Sequence, residues 1–104
     1  MTILFNTDKN ITVSEKFDAS LTTLITNELT RFTDHITRLE VHISDENGSK
    51  EGPNDKRCMI EARLEGLQPI AVTGQGDSTE HAVKGAVAKL KAALDTVVGK
   101  LKSH

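Results

Sequence analysis

Two stretches with apolar residues at helical spacing bracket a central region where apolar residues recur at every second position. That succession of periods, helix then strand then helix, restricts the chain to a mixed architecture. The first helical stretch holds Phe17, Leu21, Leu24, Ile25, Leu29 and Phe32, which predicts a helix from about Ser14 to Thr33. Thr12 followed by Glu15 has capping-box form, with Ser14 a rival cap. The opposite face carries Thr22, Thr23, Thr26 and Thr30, β-branched residues that weaken helix propensity. Packing must therefore hold this helix in place. The central region alternates through Leu39-Glu40-Val41-His42-Ile43 and again through Cys58, Ile60, Ala62 and Leu64, the pattern of half-buried strands. Residues 45–55 between them are all polar, Gly or Pro and predict a long hairpin loop.

Residues 2–6 form a short apolar run, a first strand. Ile70 and Val72 mark a fourth, with Pro69 at its start, where a missing N–H does least harm. Gly74-Gln75-Gly76 is expected to break that strand, with Asp77 as N-cap and Glu80 at the third position of a second helix. Val83, Val87, Leu90, Leu94, Val97, Val98 and Leu101 place that long helix from about Ser78 to Lys102. The predicted order is β-α-β-β-β-α. The expected fold is α+β: a two-layer sandwich whose four-stranded, antiparallel-rich sheet carries both helices on one face. At 104 residues the chain suffices for one domain, 1–104, with neither internal repeat nor linker.

Composition narrows the function classes. Three Phe with no Tyr or Trp require an aliphatic core and exclude a platform of exposed aromatics stacking on bases. A single cysteine excludes an intrachain disulfide and fits a reducing, cytosolic compartment. Met1-Thr2-Ile3-Leu4-Phe5-Asn6 lacks the basic start and apolar run of a signal peptide, and no window approaches a membrane span. His35, His42, His81 and His104 show no metal-binding spacing, and Cys58 has no Cys partner. Cys58 falls in the apolar register of its strand, so an inert core thiol is the expected reading; a Cys–His nucleophile pair is the remote alternative. Asp45-Glu46-Asn47-Gly48 lacks calcium-loop spacing and comes after a strand, not a helix. Gly74-x-Gly76 lacks the third Gly and the Lys of a phosphate loop, and Asp77 puts negative charge where the anion would sit. No convergent acid–base pair, metal set or activated nucleophile is visible, so neither an enzyme, a cofactor nor a small-molecule substrate is expected.

The net charge of −2 hides an asymmetry. Residues 81–104 hold Lys84, Lys89, Lys91, Lys100 and Lys102 against Asp95 alone, a net +4, leaving −6 on residues 1–80. Placed on a helical wheel, the apolar stripe centres on Val83, Leu94 and Leu101. Lys84, Lys91 and Lys102 then flank it on one side, and Lys89 and Lys100 on the other. Gly85, Ala88, Ala92 and Thr96 lie between, on the outward side. A ridge of small residues edged by cations can approach a phosphate backbone closely. The plainer reading is a solvated amphipathic helix whose lysine stems cover apolar surface. Lys56, Arg57 and Arg63 form a second basic group; Arg57 and Arg63 should point off the core onto an open face that also carries Glu61 and Glu65, and cross-strand ion pairing is the favoured reading for Arg63.

With this order in hand, the chain resembles the bacterial ribosome hibernation-promoting factor family, also called ribosome-associated inhibitor or sigma-54 modulation proteins, in its short form. The likeness is carried by Leu39-Glu40-Val41-His42-Ile43-Ser44-Asp45-Glu46-Asn47-Gly48 and by Asp55-Lys56-Arg57-Cys58-Met59-Ile60-Glu61-Ala62-Arg63-Leu64. The closing helix adds Ala82-Val83, Gly85, Lys89-Leu90 and Lys100-Leu101-Lys102. The resemblance implies a fold like a double-stranded-RNA-binding domain with an added strand. It implies binding in the decoding channel of the small ribosomal subunit, where the protein blocks translation and protects idle ribosomes in stationary phase. The partners implied are the small subunit and its rRNA, with the protein a cytoplasmic monomer off the ribosome. The family's basic helix surfaces map onto Lys89, Lys100 and Lys102, with neighbours Lys84 and Lys91; Lys56, Arg57 and Arg31 are further RNA-binding candidates. Two departures stand out: the first helix offers only Lys16 and Arg31 among many threonines, and the chain ends at His104, before any C-terminal dimerisation domain. Ribosome pairing is therefore expected to need another factor. Two other readings are a general RNA-binding module working off the ribosome and a protein-interaction regulator whose Gly85/Ala88/Ala92 ridge docks a partner helix.

Overall fold

The computed structural model describes residues 1–7, 15–45 and 56–102, and side chains within 1–7, 18–44 and 56–100. The expected Thr12 or Ser14 cap, loop residues 46–55, and the side chains of Lys16, Phe17, Leu101, Lys102 and His104 lie outside the described residues. The element order is β1 (Thr2–Thr7), α1 (Glu15–Glu28), a 3-10 turn (Thr30–Phe32), β2 (Ile36–Asp45), β3 (Lys56–Leu64), β4 (Ile70–Gly76) and α2 (Thr79–Lys102). This is the expected β-α-β-β-β-α sandwich, with the strands in spatial order β1-β2-β3-β4. β1 runs parallel to β2, and α1 is the crossover that a parallel pair requires. The two remaining pairings are antiparallel.

Register carries one apolar set to one face. Ile3, Leu39, Ala62 and Ile70 align across the four strands; Phe5, Val41, Ile60 and Val72 form the next row. Ile43, Cys58 and Gly74 form a third. Against these rows pack Leu21, Ile25, Leu29 and Phe32 from the first helical region and Val83, Val87, Leu90, Leu94 and Val98 from α2, in one continuous core.

α1 stops short of the expected Thr33. The Thr30 hydroxyl donates to the carbonyls of Thr26 and Asn27, each at 3.0 Å, and the Thr33 hydroxyl donates to the Thr30 carbonyl at 3.1 Å. These side chains occupy carbonyls that a continuing helix would use, a competition to which threonine is prone. Phe32 still reaches the core because the chain continues as a 3-10 turn.

β4 does not break at Gly74; it runs through Gly76. A Cβ on Gly74 would overlap the Ala82 carbonyl oxygen and the Ala86 nitrogen, and would lie 2.9 Å from the Gly85 carbonyl carbon. One on Gly76 would stand 2.6 Å from the His81 Cβ and 2.9 Å from the Ala82 nitrogen. The two glycines thus admit the α2 backbone directly onto the sheet. Gly85 belongs to that contact, its own Cβ position 3.8 Å from the Gly74 Cα, so it does not lie on the outward ridge. A wheel centred on bulky residues overlooks Ala82 and Ala86, both fully buried, which rotate the true inner face towards β4.

The cap of α2 is Ser78 and not Asp77: its hydroxyl accepts from the His81 N–H at 3.2 Å. Asp77 instead bonds the His81 ring, Nδ1 to Oδ1 2.6 Å, a contact that holds the Asp77 carboxyl below its ordinary range.

Cys58 is fully buried, and desolvation pushes its thiol up to about 12. Native protein should resist iodoacetamide at pH 8, whereas protein in denaturant should be alkylated completely, as intact-mass measurement would report; rapid native labelling would contradict a core thiol. The folded state keeps a proton that the unfolded chain releases near 9.0, so this contribution to stability is intact below pH 9 and is lost as pH climbs towards 12.

Candidate nucleic-acid interface

α2 spans 24 residues, about 36 Å at 1.5 Å per residue, and its buried side faces β3 and β4. Of the five lysines on the wheel, three have a flank fixed by their contacts. Lys84 and Lys91 turn towards α1, and Lys89 turns towards β4.

On the α1 flank a groove of about 440 Å³ runs between the helices. Leu24, Val87, Ala88 and Ala92 give it an apolar lining, and Glu28, Lys84, Lys91 and Asp95 give it charge. The Lys91 ammonium donates to Glu28 Oε2 at 2.9 Å, holding the Glu28 carboxyl below the usual carboxylate range. Arg31 Nη2 donates to Asp95 Oδ1 at 2.8 Å, with its guanidinium carbon 4.9 Å from the centre of the Phe32 ring. Lys84 lies 3.6 Å from Glu80, one turn back on α2. A recess of about 140 Å³, lined by Arg31, Phe32, Asp95, Val98 and Gly99, shares Asp95 with the groove.

On the other flank, Lys89 Nζ donates to the Thr73 carbonyl at 2.7 Å. β4 is an edge strand, and a lysine there guards the edge against pairing with another chain. Lys100 is exposed in the last turns of α2. Lys56 and Arg57 are successive residues of β3 and so point to opposite faces of the sheet. Lys56 sits in the helix-side row with Gly76, and Arg57 sits on the open face with Ser44 and Gln75.

The seven candidate cations among the described side chains therefore do not form one surface. Lys84 and Lys91 line the groove and Arg31 the recess beside it, Lys89 borders β4, Lys100 comes near the helix end, Lys56 is in the helix-side row of β3 and Arg57 lies on the far side of the sheet. The side chain of Lys102 is outside the described residues.

The open face is an ion-pair lattice. Arg63 lies 3.1 Å from Glu61 and 3.8 Å from Glu40, and Arg38 lies 3.9 Å from Glu40. Cross-strand pairing of Arg63 is thus present, with Glu40 as the carboxylate from the neighbouring strand and Glu61 as one from its own. Arg38, directly opposite Arg63, is not among the sequence candidates, and its Nε is buried without a hydrogen-bond partner. Glu28 and Asp95 also escape sequence reasoning; no local pattern links them to Lys91 and Arg31, which lie more than sixty positions away in sequence. Among the described residues no group of three or more His, Cys, Asp or Glu could hold a metal ion, and no helix is long and apolar enough to cross a membrane.

Comparison with known proteins decides the family. The family model for sigma 54 modulation protein / S30EA ribosomal protein matches residues 6–102. The chain belongs to that family. Its members are ribosome-associated and non-enzymatic. No curated protein matches this chain in sequence. Among solved structures, the N-terminal domain of Protein Y from Thermus thermophilus matches at TM-score 0.73 and 16% identity, covering 93% of this chain and 99% of that one. A ribosomal subunit interface protein from Coxiella burnetii matches at TM-score 0.73 and 17% identity, covering 95% and 99%. At those identities the likeness is one of fold, and it extends over nearly the whole of this family member.

Proposed function

We propose that the protein is a translation inhibitor of the hibernation type, which occludes the decoding channel of the small ribosomal subunit by contacting its rRNA. The observation that carries this reading is the family match over residues 6–102. The charge map supports it less strongly, because Arg31, Lys84 and Lys91 each face a carboxylate in the free protein. These pairs are exposed, and exposed pairs hold their partners weakly. Phosphates of rRNA can therefore take over the cations, releasing counterions as they do so. The protein would work as a monomer in the cytoplasm of cells entering stationary phase, and it would act by filling space, with no chemical step.

Sedimentation of lysate or purified components through sucrose gradients tests this. The protein is expected to travel with small subunits or whole ribosomes at low salt and to leave them steeply as salt rises. Absence from the ribosomal fractions at low salt, or binding indifferent to salt, would contradict the reading. The apolar lining of the groove favours one rival, a protein partner docked between the helices; a partner retained after nuclease treatment would mark that case.

A further inference from the structure

We propose that Glu28 and Asp95 stand in for RNA phosphates in the free protein, each holding a cation of the groove or its adjoining recess where a phosphate holds it in the complex. This rests on the RNA-contacting reading above and names what regulates that contact.

The geometry is specific. Both pairs tie the first helical region to α2: Lys91 on α2 reaches back across the groove to Glu28 on α1, and Arg31 on the 3-10 turn reaches from the adjoining recess to Asp95 on α2, which lines both. The distances, 2.9 and 2.8 Å, are those of charge-assisted hydrogen bonds. The carboxylate oxygens thus occupy places that a phosphate oxygen would occupy on the same donors. All four side chains remain open to water, between 37% and 67% exposed, so exchange needs no unfolding. Arg31 is further held over the Phe32 ring, so its guanidinium keeps its position when Asp95 is displaced. The depressed Glu28 carboxyl fits the same picture: near neutral pH it is ionised and competes fully.

A stray polyanion meets a groove whose charges are already matched and gains little there. An RNA that presents two phosphates at the right separation displaces both carboxylates together. The freed carboxylates then recapture cations from solution, which partly offsets the counterions released from the RNA and flattens the salt dependence.

The test uses full-length protein and purified small subunits, with affinity measured across a salt series for wild type, Glu28→Gln, Asp95→Asn, the double variant and Glu65→Gln. Glu65 is an exposed carboxylate at the β3–β4 turn, outside the lining of the groove, and its variant is the charge-matched control for each single variant. The double variant is expected to bind about tenfold tighter at low salt, with a slope of log K against log salt steeper by up to about 2; the Glu65 variant should gain far less. Glu28→Gln and Asp95→Asn each binding no tighter than Glu65→Gln, or an unchanged slope in the double variant, overturns the proposal. Failure of wild type to bind at any salt overturns the ribosomal reading itself, so the two failures are told apart by the wild-type arm.

Discussion

Alanine at Gly74 should destabilise the protein by about 3 kcal/mol, at the upper end of the cost of overpacking. The added methyl meets the backbone of Ala82, Gly85 and Ala86, not the end of a flexible side chain, so neither rotamer change nor local repacking can make room. α2 must lift from β4, and Ala82 and Ala86, both fully buried, lose contact with the sheet. For a domain of this size such a loss corresponds to a fall in melting temperature of about 12–24 °C. Differential scanning calorimetry would check it. A variant that melts within about 2 °C of wild type would show that the helix and strand stand further apart than described. Gly66→Ala is the useful contrast. Gly66 has φ +72°, but nothing lies within 4 Å of its Cβ position. Its cost is limited to left-handed backbone strain of about 1 kcal/mol.

The second large effect concerns binding. Lys89→Glu combined with Lys91→Glu should weaken association with small subunits by about 100-fold at low salt and lower the salt slope by about 2. One substitution acts on each flank of α2, since Lys89 borders β4 and Lys91 borders α1. The reversed charges also have effects within the protein. Glutamate at 91 faces Glu28, and glutamate at 89 cannot donate to the Thr73 carbonyl. Lys89→Gln with Lys91→Gln removes the charges without that repulsion and should show an intermediate loss. Matched melting temperatures would tie any loss of binding to charge, and undiminished affinity in folded protein would remove α2 from the RNA contact.

Much of this architecture is legible in the sequence, for identifiable reasons. Cys58, Ile60, Ala62 and Leu64 sit at perfect alternation, and the sheet buries all four. α2 is legible from its long apolar stripe, and its start at Thr79 falls one residue from the expected Ser78. Where sequence and structure differ, small residues or long-range pairing are at work. Gly74 and Gly76 signal a break by ordinary punctuation rules, yet here they match Ala82, Gly85 and Ala86 across a close strand–helix approach. A pattern of small residues in both elements is the available signal. The early end of α1 has no Gly or Pro to mark it, because threonine hydroxyls terminate it instead. At the candidate interface, helical spacing puts Lys84 and Lys91 on a different flank from Lys89, where the structure also has them. It cannot show that Lys91 and Arg31 meet Glu28 and Asp95, since those pairs exist only once α1 and α2 are laid side by side.

That side-by-side arrangement has a mechanical side. α1 is tethered in the sequence to β1 and β2, at one margin of the sheet, whereas α2 lies directly on β4 at the opposite margin. The two walls of the groove thus come from distant parts of the chain, and the Lys91–Glu28 and Arg31–Asp95 bonds clasp one to the other. A ligand that displaces those carboxylates therefore unfastens the walls in the same act that seats it.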